Sequence, residues 1–332
     1  MNTPAFWFAP HPTLLARLLQ PVSWLYQIAS TLHRGLRSRN PYRAPVPIIS
    51  VGNLTVGGGG KTPLVRLLAE AFQTSHTVAI VSRGYGGNDH GPTRVTSAHT
   101  VTQVGDESLL LARTLPKTAV WVSRNRPLGV QAAIAAGANL IVLDDAFTRT
   151  DIIRDIDILT FGPQGIGNGL TLPAGPLREP LSHACRVTLM VMQETPLPQG
   201  LPPKPTFTFL RHICPSTVQR LHNTKQPLVA CAGLANPQPF FHQLIHAGLP
   251  VVATLPLPDH HHFPPHTLHR ITNLLHQHNA HLVCTEKDSP KLPKNIPHTA
   301  VPLKLEGPTD DLITYIHQHL NSHASSNTTS IP

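Results

Sequence analysis

The sequence predicts an α/β fold in which helices flank a parallel sheet with a P-loop. Residues 46–62 read VPIISVGNLTVGGGGKT, so a run of apolar residues leads into four glycines and then into Lys61 and Thr62. Apolar residues at helical spacing follow directly. Farther along the chain, short apolar strands alternate with helical segments, a pattern typical of a parallel sheet covered on both faces. We therefore expect the functional residues at the carboxyl ends of the strands.

The segment around the glycines has the strand–loop–helix order of a phosphate-binding P-loop. Glycines allow backbone N–H groups to surround an anion, and the N-terminus of the following helix adds partial positive charge. We expect Lys61 to reach the outer phosphates of a nucleotide and the Thr62 hydroxyl to bind Mg²⁺. The strict motif has glycine where this chain has Thr55, and the alternative interpretation is a flexible glycine loop. The predicted nucleotide-binding residues are Thr55, Val56, Gly57, Gly58, Gly59, Gly60, Lys61 and Thr62.

The composition indicates a globular chain with an anionic partner. With 332 residues, of which 40% are hydrophobic, the chain has the length of about two domains. A net charge of +9 favours a nucleotide, a phospholipid or a phosphorylated substrate. No long Lys/Arg run is present, so we expect no nucleic acid partner. Four scattered cysteines without a C-x-x-C pair indicate reduced thiols in a cytosolic compartment.

Residues 5–39 predict an amphipathic helix at a membrane interface. Apolar side chains recur every three or four residues between Leu14 and Ala29, with bulky aromatic residues nearby and arginines after them. Arg17 and Pro21 interrupt the stripe, which is shorter than the ~18 uninterrupted apolar residues of a spanning helix. No small-residue cleavage site follows, so we do not expect a signal peptide. A position on the cytoplasmic side of a bilayer is favoured, and the alternative is a helix packed on its own domain.

The remaining strand and helix signals follow in order. Strands are predicted at 78–81, 120–122, 140–143, 156–161, 187–192, 206–213, 228–232, 251–255, 281–284 and 301–305. Helices are predicted at 107–115, 127–136, 237–247, 265–279 and 310–320. A Pro-rich link separates the halves at 196–205, and the tail from Asn321 is rich in Ser, Asn and Thr and is predicted to be disordered.

Acidic residues follow or precede several of these elements. Residues 140–145 read LIVLDD, which is the Walker B form, and either Asp144 or Asp145 is the expected Mg²⁺ ligand. Transfer of a phosphoryl group to a hydroxyl also needs a carboxylate that accepts the proton of the alcohol. Asp106 is the candidate base, with Glu107 beside it for the metal shell. The alternative for Asp106 is a helix N-cap.

Two motifs in the second half carry further polar residues. Residues 259–262 read DHHH, which indicates a metal site, a general-base relay or a composition rich in histidine. Adjacent histidines cannot all face one point, so we expect at most two of them to act. Residues 285–288 read TEKD, similar to the guanine-binding [NT]-K-x-D motif, but Glu286 stands where that motif has lysine. This difference argues against a GTPase.

These motifs together resemble one family, the tetraacyldisaccharide 4′-kinases of lipid A biosynthesis. The resemblance covers nearly the whole chain, in the order VGNLTVGGGGKTP (51–63), SRGYGG (82–87), GDESLLLAR (105–113), LDDAF (143–147), RDIDI (154–158), LPAGPLREP (172–180), PDHH (258–261) and CTEKD (284–288). Thr55 matches the usual start of the family's glycine loop. The chain departs from the family at Gly59, where a small polar residue is usual, and at 147–150, where the family has a Phe-Gln-His-Arg run.

The resemblance implies transfer of the γ-phosphate of ATP, with Mg²⁺, to the 4′-hydroxyl of a tetraacylated glucosamine disaccharide 1-phosphate. Lys61 and Thr62 would hold the triphosphate and Mg²⁺. The implied metal shell consists of Thr62, Glu107, Asp144 and Asp145. Asp106 would be the base, assisted by His260 or His261. Tyr85 and Arg178 are candidates for contacts with the substrate or the nucleotide.

The resemblance also implies a P-loop kinase core and a smaller C-terminal α/β domain joined to it by a hinge. The predicted divisions are a membrane-interface helix at 1–40, the kinase core at 41–200, the smaller domain at 201–320 and the tail at 321–332. The implied location is the cytoplasmic face of the bacterial inner membrane, because the lipid substrate is insoluble. Two rival functions are a P-loop NTPase that acts as a switch or chaperone at the membrane, and a binding protein with an inactive P-loop.

Overall fold

The computed structural model describes residues 4–9 and 11–328. Its helices are α1 (Leu14–Arg37), α2 (Lys61–Phe72), α3 (Val101–Val104), α4 (Asp106–Thr114), α5 (Arg126–Ala135), α6 (Pro215–Thr224), α7 (Gln238–His246), α8 (Pro265–His278) and α9 (Thr309–Thr328). Its strands are β1 (Ile48–Gly52), β2 (Val78–Ser82), β3 (Thr93–Arg94), β4 (Ala119–Val122), β5 (Leu140–Asp144), β6 (Ile156–Phe161), β7 (Leu189–Gln193), β8 (Thr206–Ile213), β9 (Leu228–Gly233), β10 (Val251–Leu257), β11 (His281–Thr285), β12 (His298–Val301) and β13 (Leu303–Glu306).

The larger of two sheets has the strand order β13-β8-β7-β6-β1-β5-β2-β4-β3. Its strands are parallel except for the antiparallel pairs β3–β4 and β8–β13. β1 lies between β5 and β6, so that Val51 is opposite Asp144. Every residue of β1, β2, β5, β6 and β7 is buried. This burial is typical of a parallel sheet covered on both faces and confirms the predicted fold class.

Helix α2 follows the glycine loop and covers the sheet with one apolar face. The buried side chains on this face are Leu64, Val65, Leu68, Ala69 and Phe72. Their three- and four-residue spacing is the pattern from which the sequence predicted the helix. Full burial of each large apolar side chain contributes about 1.5–3 kcal/mol. Because β1 and α2 both belong to this core, the glycine loop between them is fixed at both ends.

The sheets divide the chain differently from the predicted boundary at residue 201. The second sheet, with the order β10-β9-β11-β12, lies wholly within residues 228–301. Strand β8 pairs with β7, β13 pairs with β8, and Leu312 and Ile316 of α9 pack into the core of the larger sheet. The smaller lobe therefore comprises residues 214–302. The larger lobe comprises residues 41–213 and 303–328.

Two composition signals account for the differences from the predicted divisions. The Pro-rich link at 196–205 has the composition of a domain linker, yet it joins the neighbouring strands β7 and β8 of one sheet. The polar residues from Asn321 onward were predicted to be disordered, but α9 continues to Thr328. Each residue added to an existing helix gains a backbone hydrogen bond without a new nucleation cost. Residues 329–332 of the predicted tail lie outside the described residues.

Helix α1 packs on the larger lobe with its polar side. Ser23 Oγ donates to the Thr171 carbonyl at 2.9 Å, and Tyr26 Oη donates to the Arg178 carbonyl at 3.1 Å. The opposite side is apolar, with side chains that are 49–75% exposed at Leu14, Leu15, Leu18, Val22, Trp24, Leu25, Ile28, Leu32 and Leu36. This arrangement is the reverse of a helix on a water-soluble surface. No helix among the described residues is long and apolar enough to span a bilayer.

Candidate active site

The glycine loop lies at the carboxyl end of β1 and leads directly into α2. Gly57 (φ +96°) and Gly60 (φ +73°) have left-handed backbone conformations, which glycine adopts without steric cost. Gly60 is the N-cap of α2 and provides no side-chain hydrogen bond to the helix. The first N–H groups of α2 are therefore available to an anion.

Asn53 connects the glycine loop to the lysine of the motif. Its Nδ2 donates to the Thr55 carbonyl at 2.9 Å, and its Oδ1 accepts a hydrogen bond from Lys61 Nζ at 3.1 Å. Arg178 Nη2 donates to the Asn53 carbonyl at 2.7 Å. A Cβ atom at Gly59 would overlap the Asn53 amide. Gly59, where the family usually has a small polar residue, therefore leaves room for the Asn53 side chain beneath the loop.

Two acids with different surroundings stand at the end of β5. Asp144 is buried, and its Oδ1 has no hydrogen-bond partner among the described residues. Burial and the neighbouring Glu107 carboxylate raise the pKa of Asp144. Asp145 lies 2.8 Å from Arg178 Nη2 and 3.9 Å from Lys61 Nζ. Burial would raise the pKa of Asp145, but these two cations outweigh it and hold the pKa well below its usual range.

An acid–base pair forms across the two lobes. Asp106 begins α4 of the larger lobe, and His260 lies in the loop after β10 of the smaller lobe. His260 Nδ1 is 3.0 Å from Asp106 Oδ2, and Asp106 is 2% exposed. Burial would raise the pKa of Asp106, but the hydrogen bond to His260 and the two nearby lysines, Lys287 and Lys291, hold it well below its usual range. The carboxylate is therefore charged.

The two lysines come from the segment after β11 in the smaller lobe. Lys291 Nζ lies 3.0 Å from Asp106 Oδ2 and 3.2 Å from Asp288 Oδ1. Lys287 Nζ lies 2.9 Å from Asp259 Oδ1, on the more open side of the pair. Burial lowers the pKa of Lys287, but the carboxylates around it outweigh burial and raise it. Lys287 Nζ is also 3.6 Å from Glu107 Oε1, so Lys287 and Lys291 both contact acids at the start of α4 in the larger lobe.

A sequence profile described as tetraacyldisaccharide-1-P 4′-kinase matches residues 15–321. The chain belongs to this family. A tetraacyldisaccharide 4′-kinase from Gluconacetobacter diazotrophicus is 38% identical over 307 residues, with 89% of this chain and 90% of the relative covered. A tetraacyldisaccharide 4′-kinase from Rhodospirillum centenum is 38% identical over 310 residues, with 89% of each chain covered. The family resemblance seen in the motifs is thereby confirmed.

A solved structure of this kinase family is also similar. LpxK from Aquifex aeolicus, in a crystal structure described as an "apo" form in complex with ATP, has a TM-score of 0.75 and 27% sequence identity. The match covers 92% of this chain and all of the Aquifex chain. Both the larger and the smaller lobe are therefore part of the shared fold, since the match spans nearly the full length.

The acids of this family member fit Mg²⁺. Asp144 offers a buried carboxylate oxygen without a hydrogen-bond partner among the described residues, and burial together with the Glu107 carboxylate raises its pKa. Within the described part of the chain, no group of three or more His, Cys, Asp or Glu side chains is arranged to hold a metal. Mg²⁺ commonly takes one or two carboxylates and completes its shell with phosphates and water. Asp144, Glu107 and Thr62 are the side chains that would hold it.

The structure places the other predicted site residues of the kinase as follows. His261 Nε2 lies 3.0 Å from Thr267 Oγ1, so the structure does not bring His261 to Asp106. Tyr85 is exposed, and its ring centre lies 5.1 Å from that of His260. Arg178 is engaged with Asp145 and Asn53, as described above.

Sequence reasoning missed several residues that support the site. Gln193 Nε2 donates to the Gly60 carbonyl at 2.7 Å behind the glycine loop. Arg126 is buried and donates to the Asp144 carbonyl at 2.7 Å. Asp288 was noted in the sequence as the last residue of the TEKD motif, and the structure adds its partners: it accepts hydrogen bonds from the Gly233 N–H and the Thr285 hydroxyl, both at 2.7 Å, so it connects β9 to the end of β11. The polar residue types at strand and helix ends are visible in the sequence, but their partners lie far along the chain.

Proposed function

We propose that this family member transfers the γ-phosphate of ATP to the 4′-hydroxyl of a tetraacyldisaccharide 1-phosphate in the formation of lipid A. The observation that carries the proposal is the pair formed by Asp106 and His260, with 3.0 Å between Oδ2 and Nδ1. One lobe presents the P-loop and the acids of a phosphoryl-transfer site, and the other supplies the histidine. The same pair would also suit the activation of water by a P-loop NTPase, so the identity of the phosphoryl acceptor in the transfer assay separates the two functions.

The residues have separate parts in the proposed reaction. The glycine loop and Lys61 bind the triphosphate, and Mg²⁺ when bound neutralises charge on the phosphates. A bond forms between the 4′-oxygen and the γ-phosphorus, while the bond from that phosphorus to the β–γ bridging oxygen breaks and ADP leaves. The hydroxyl proton passes to the Asp106–His260 pair. Because the pKa of Asp106 is held low, its carboxylate by itself is a weak base, and we assign the proton to the pair as a unit.

The lipid part of the substrate gives the exposed side of α1 a role. We propose that this apolar side lies in the membrane interface, on the cytoplasmic face of the bacterial inner membrane. The polar side of the same helix contacts Thr171 and Arg178, so the helix joins the bilayer to the loop that reaches Asp145. A lipid held at the interface is thereby near the acids at the end of β5.

Two residues are proposed to contact the ligands. Tyr85 is exposed beside His260, which suits contact with the disaccharide near its 4′-hydroxyl. Arg178 donates hydrogen bonds to the Asn53 carbonyl and to Asp145, beside the glycine loop, which favours a role close to the nucleotide phosphates.

The test is transfer of ³²P from γ-labelled ATP to tetraacyldisaccharide 1-phosphate in detergent with Mg²⁺. We expect labelled lipid from the wild type and a loss of about 10³-fold or more in Lys61→Ala, because the lysine stabilises transition-state charge. Release of labelled phosphate without labelled lipid would support the NTPase alternative. Turnover by Lys61→Ala at the wild-type rate would contradict the assigned site.

A further inference from the structure

Lys287 lies at the contact between the lobes, among four polar groups. Its Nζ is 2.9 Å from Asp259 Oδ1 and 3.4 Å from His260 Nε2 within the smaller lobe. In the larger lobe, Glu107 Oε1 is 3.6 Å and Asp106 Oδ2 is 3.8 Å from the same atom. One ammonium group therefore lies beside both members of the acid–base pair.

The backbone of His260 needs support that Lys287 helps to supply. His260 has φ +58°, a left-handed conformation that residues other than glycine rarely adopt. Asp259 Oδ1 accepts the His260 N–H at 3.0 Å, and the same oxygen accepts a hydrogen bond from Lys287 Nζ. Lys287 thus fixes the Asp259 carboxylate, and that carboxylate fixes the backbone of His260, whose ring contacts Asp106.

Lys291 differs from Lys287 in exposure. The Lys291 side chain is 4% exposed and lies between the buried carboxylates of Asp288 and Asp106. The Lys287 side chain is 13% exposed, and its partners Asp259 and Glu107 are 25% and 36% exposed. Lys287 is therefore the more solvent-accessible of the two lysines, and its carboxylate partners are more accessible as well.

We propose that Lys287 is a positioning residue of the transfer step, which fixes His260 against Asp106 when the smaller lobe is closed. The inference rests on the proposed kinase activity. Asp106 and Glu107 belong to one lobe and Lys287 to the other, so the ammonium reaches the acids only in the closed arrangement. The acid–base pair is then complete only after closure, which excludes water from the site while the pair is active.

The first variant is Lys287→Met, which keeps the length and packing of the side chain and removes its charge. We expect kcat to fall about 100-fold while KM for ATP changes by less than about 3-fold. We also expect faster amide hydrogen exchange in residues 258–263, because Asp259 loses its anchor, with unchanged exchange in the glycine loop. A wild-type kcat, or a raised KM at wild-type kcat, would overturn the positioning role.

The matched control removes another ion pair between the lobes. Arg66 Nη1 lies 3.2 Å from Glu286 Oε1, so Arg66→Met weakens the contact of the lobes without touching the acid–base pair. We expect kcat within about 3-fold of the wild type and unchanged exchange in residues 258–263. If Arg66→Met slows transfer as much as Lys287→Met does, loss of closure explains both and the specific role of Lys287 is refuted.

Restoration of the charge provides a second, independent measurement. Lys287→Cys followed by aminoethylation recreates an ammonium at nearly the original distance, and treated wild type controls for modification of Cys185 and Cys214. We expect the treated variant to regain at least about 10-fold in kcat. No recovery in a variant with the wild-type Tm would overturn the proposal. If the wild type itself labels no lipid, the proposed function fails, whereas the exchange comparison still decides whether Lys287 positions His260.

Discussion

Replacement of Asp106 by asparagine removes the charge of this side chain and keeps its shape. The carboxylate is 2% exposed and meets His260 Nδ1 and Lys291 Nζ, each at 3.0 Å. In Asp106→Asn, His260 faces a neutral amide, and Lys291 keeps Asp288 as a carboxylate partner. The variant therefore tests both the catalytic pair and the contact between the lobes.

The size of the effect follows from burial and from the partner that remains. Removal of one member of a buried ion pair costs about 3–5 kcal/mol. Because Lys291 retains Asp288 as a partner, we expect Asp106→Asn to lower the free energy of unfolding by less than this, by about 2–3 kcal/mol. With an unfolding entropy of about 2.1 cal/mol/K per residue over 332 residues, this loss lowers Tm by about 3–4 °C.

The sign of the pH dependence follows from the lowered pKa of Asp106. The folded pKa lies below the unfolded value of about 3.9, so the stabilisation is fully present above that value and is lost as the pH falls through the folded pKa. We expect the difference in free energy of unfolding between wild type and Asp106→Asn to be constant above about pH 5 and to shrink below about pH 4.

The assays are calorimetry for Tm and labelled-lipid formation for kcat. We expect kcat to fall about 10²–10⁴-fold with KM for ATP nearly unchanged. Glu70→Gln is the control, since Glu70 is an exposed acid paired with Arg66 on α2, and it should cost less than about 0.5 kcal/mol. A wild-type kcat in Asp106→Asn would remove Asp106 from the reaction. A wild-type Tm would refute the argument from the buried ion pair.

Two further predictions concern the glycine loop and α1. Gly60→Ala should weaken ATP binding at least about 10-fold in calorimetric titration, because its φ of +73° disfavours alanine and a Cβ there would overlap Gln193. Gly58→Ala is the control, since a Cβ at Gly58 meets open space, and it should weaken ATP binding less. Equal losses of affinity in the two variants would refute this geometry. The double variant Leu25→Asp/Leu32→Asp should move the protein from the membrane to the supernatant after fractionation, because it places charges on the exposed apolar side of α1. Leu210→Asp is the control, since Leu210 is an exposed leucine on β8, and it should leave the distribution unchanged. An unchanged distribution of the double variant would show that α1 is not the main membrane contact.

The parts of the site that the sequence predicts are those built from neighbouring residues. The glycine loop with Lys61 is a local pattern, and so is the pair Asp144–Asp145 at the end of a buried strand. Asp106 is visible as an acid at a helix start, and the motif containing His260 is visible as a cluster. Their contact at 3.0 Å is not visible in the sequence, because the two residues are 154 positions apart and lie in different lobes.

The smaller lobe shows why the division of the fold was harder to predict. Strands β8 and β13 lie on opposite sides of residues 214–302, and their antiparallel pairing closes a long loop that leaves no periodic signal. The Pro-rich link before β8 has the composition of a domain boundary and lies within one sheet. Asn53 and Gln193 were missed for a related reason. Their side-chain amides donate to backbone carbonyls of the glycine loop, and the sequence does not show which carbonyl an amide will reach in the folded chain.

The two ends of the smaller lobe enter and leave the larger sheet at one place. Ile213 and Leu303 are directly opposite in the antiparallel pair β8–β13, and the Cys214 N–H donates to the Pro302 carbonyl at 3.1 Å. The lobe is therefore attached like a module on a two-stranded stalk, and a short turn from 213 to 303 could replace it without rethreading the sheet. The same stalk offers an engineer a site at which the histidine-bearing lobe of one relative can be exchanged for that of another.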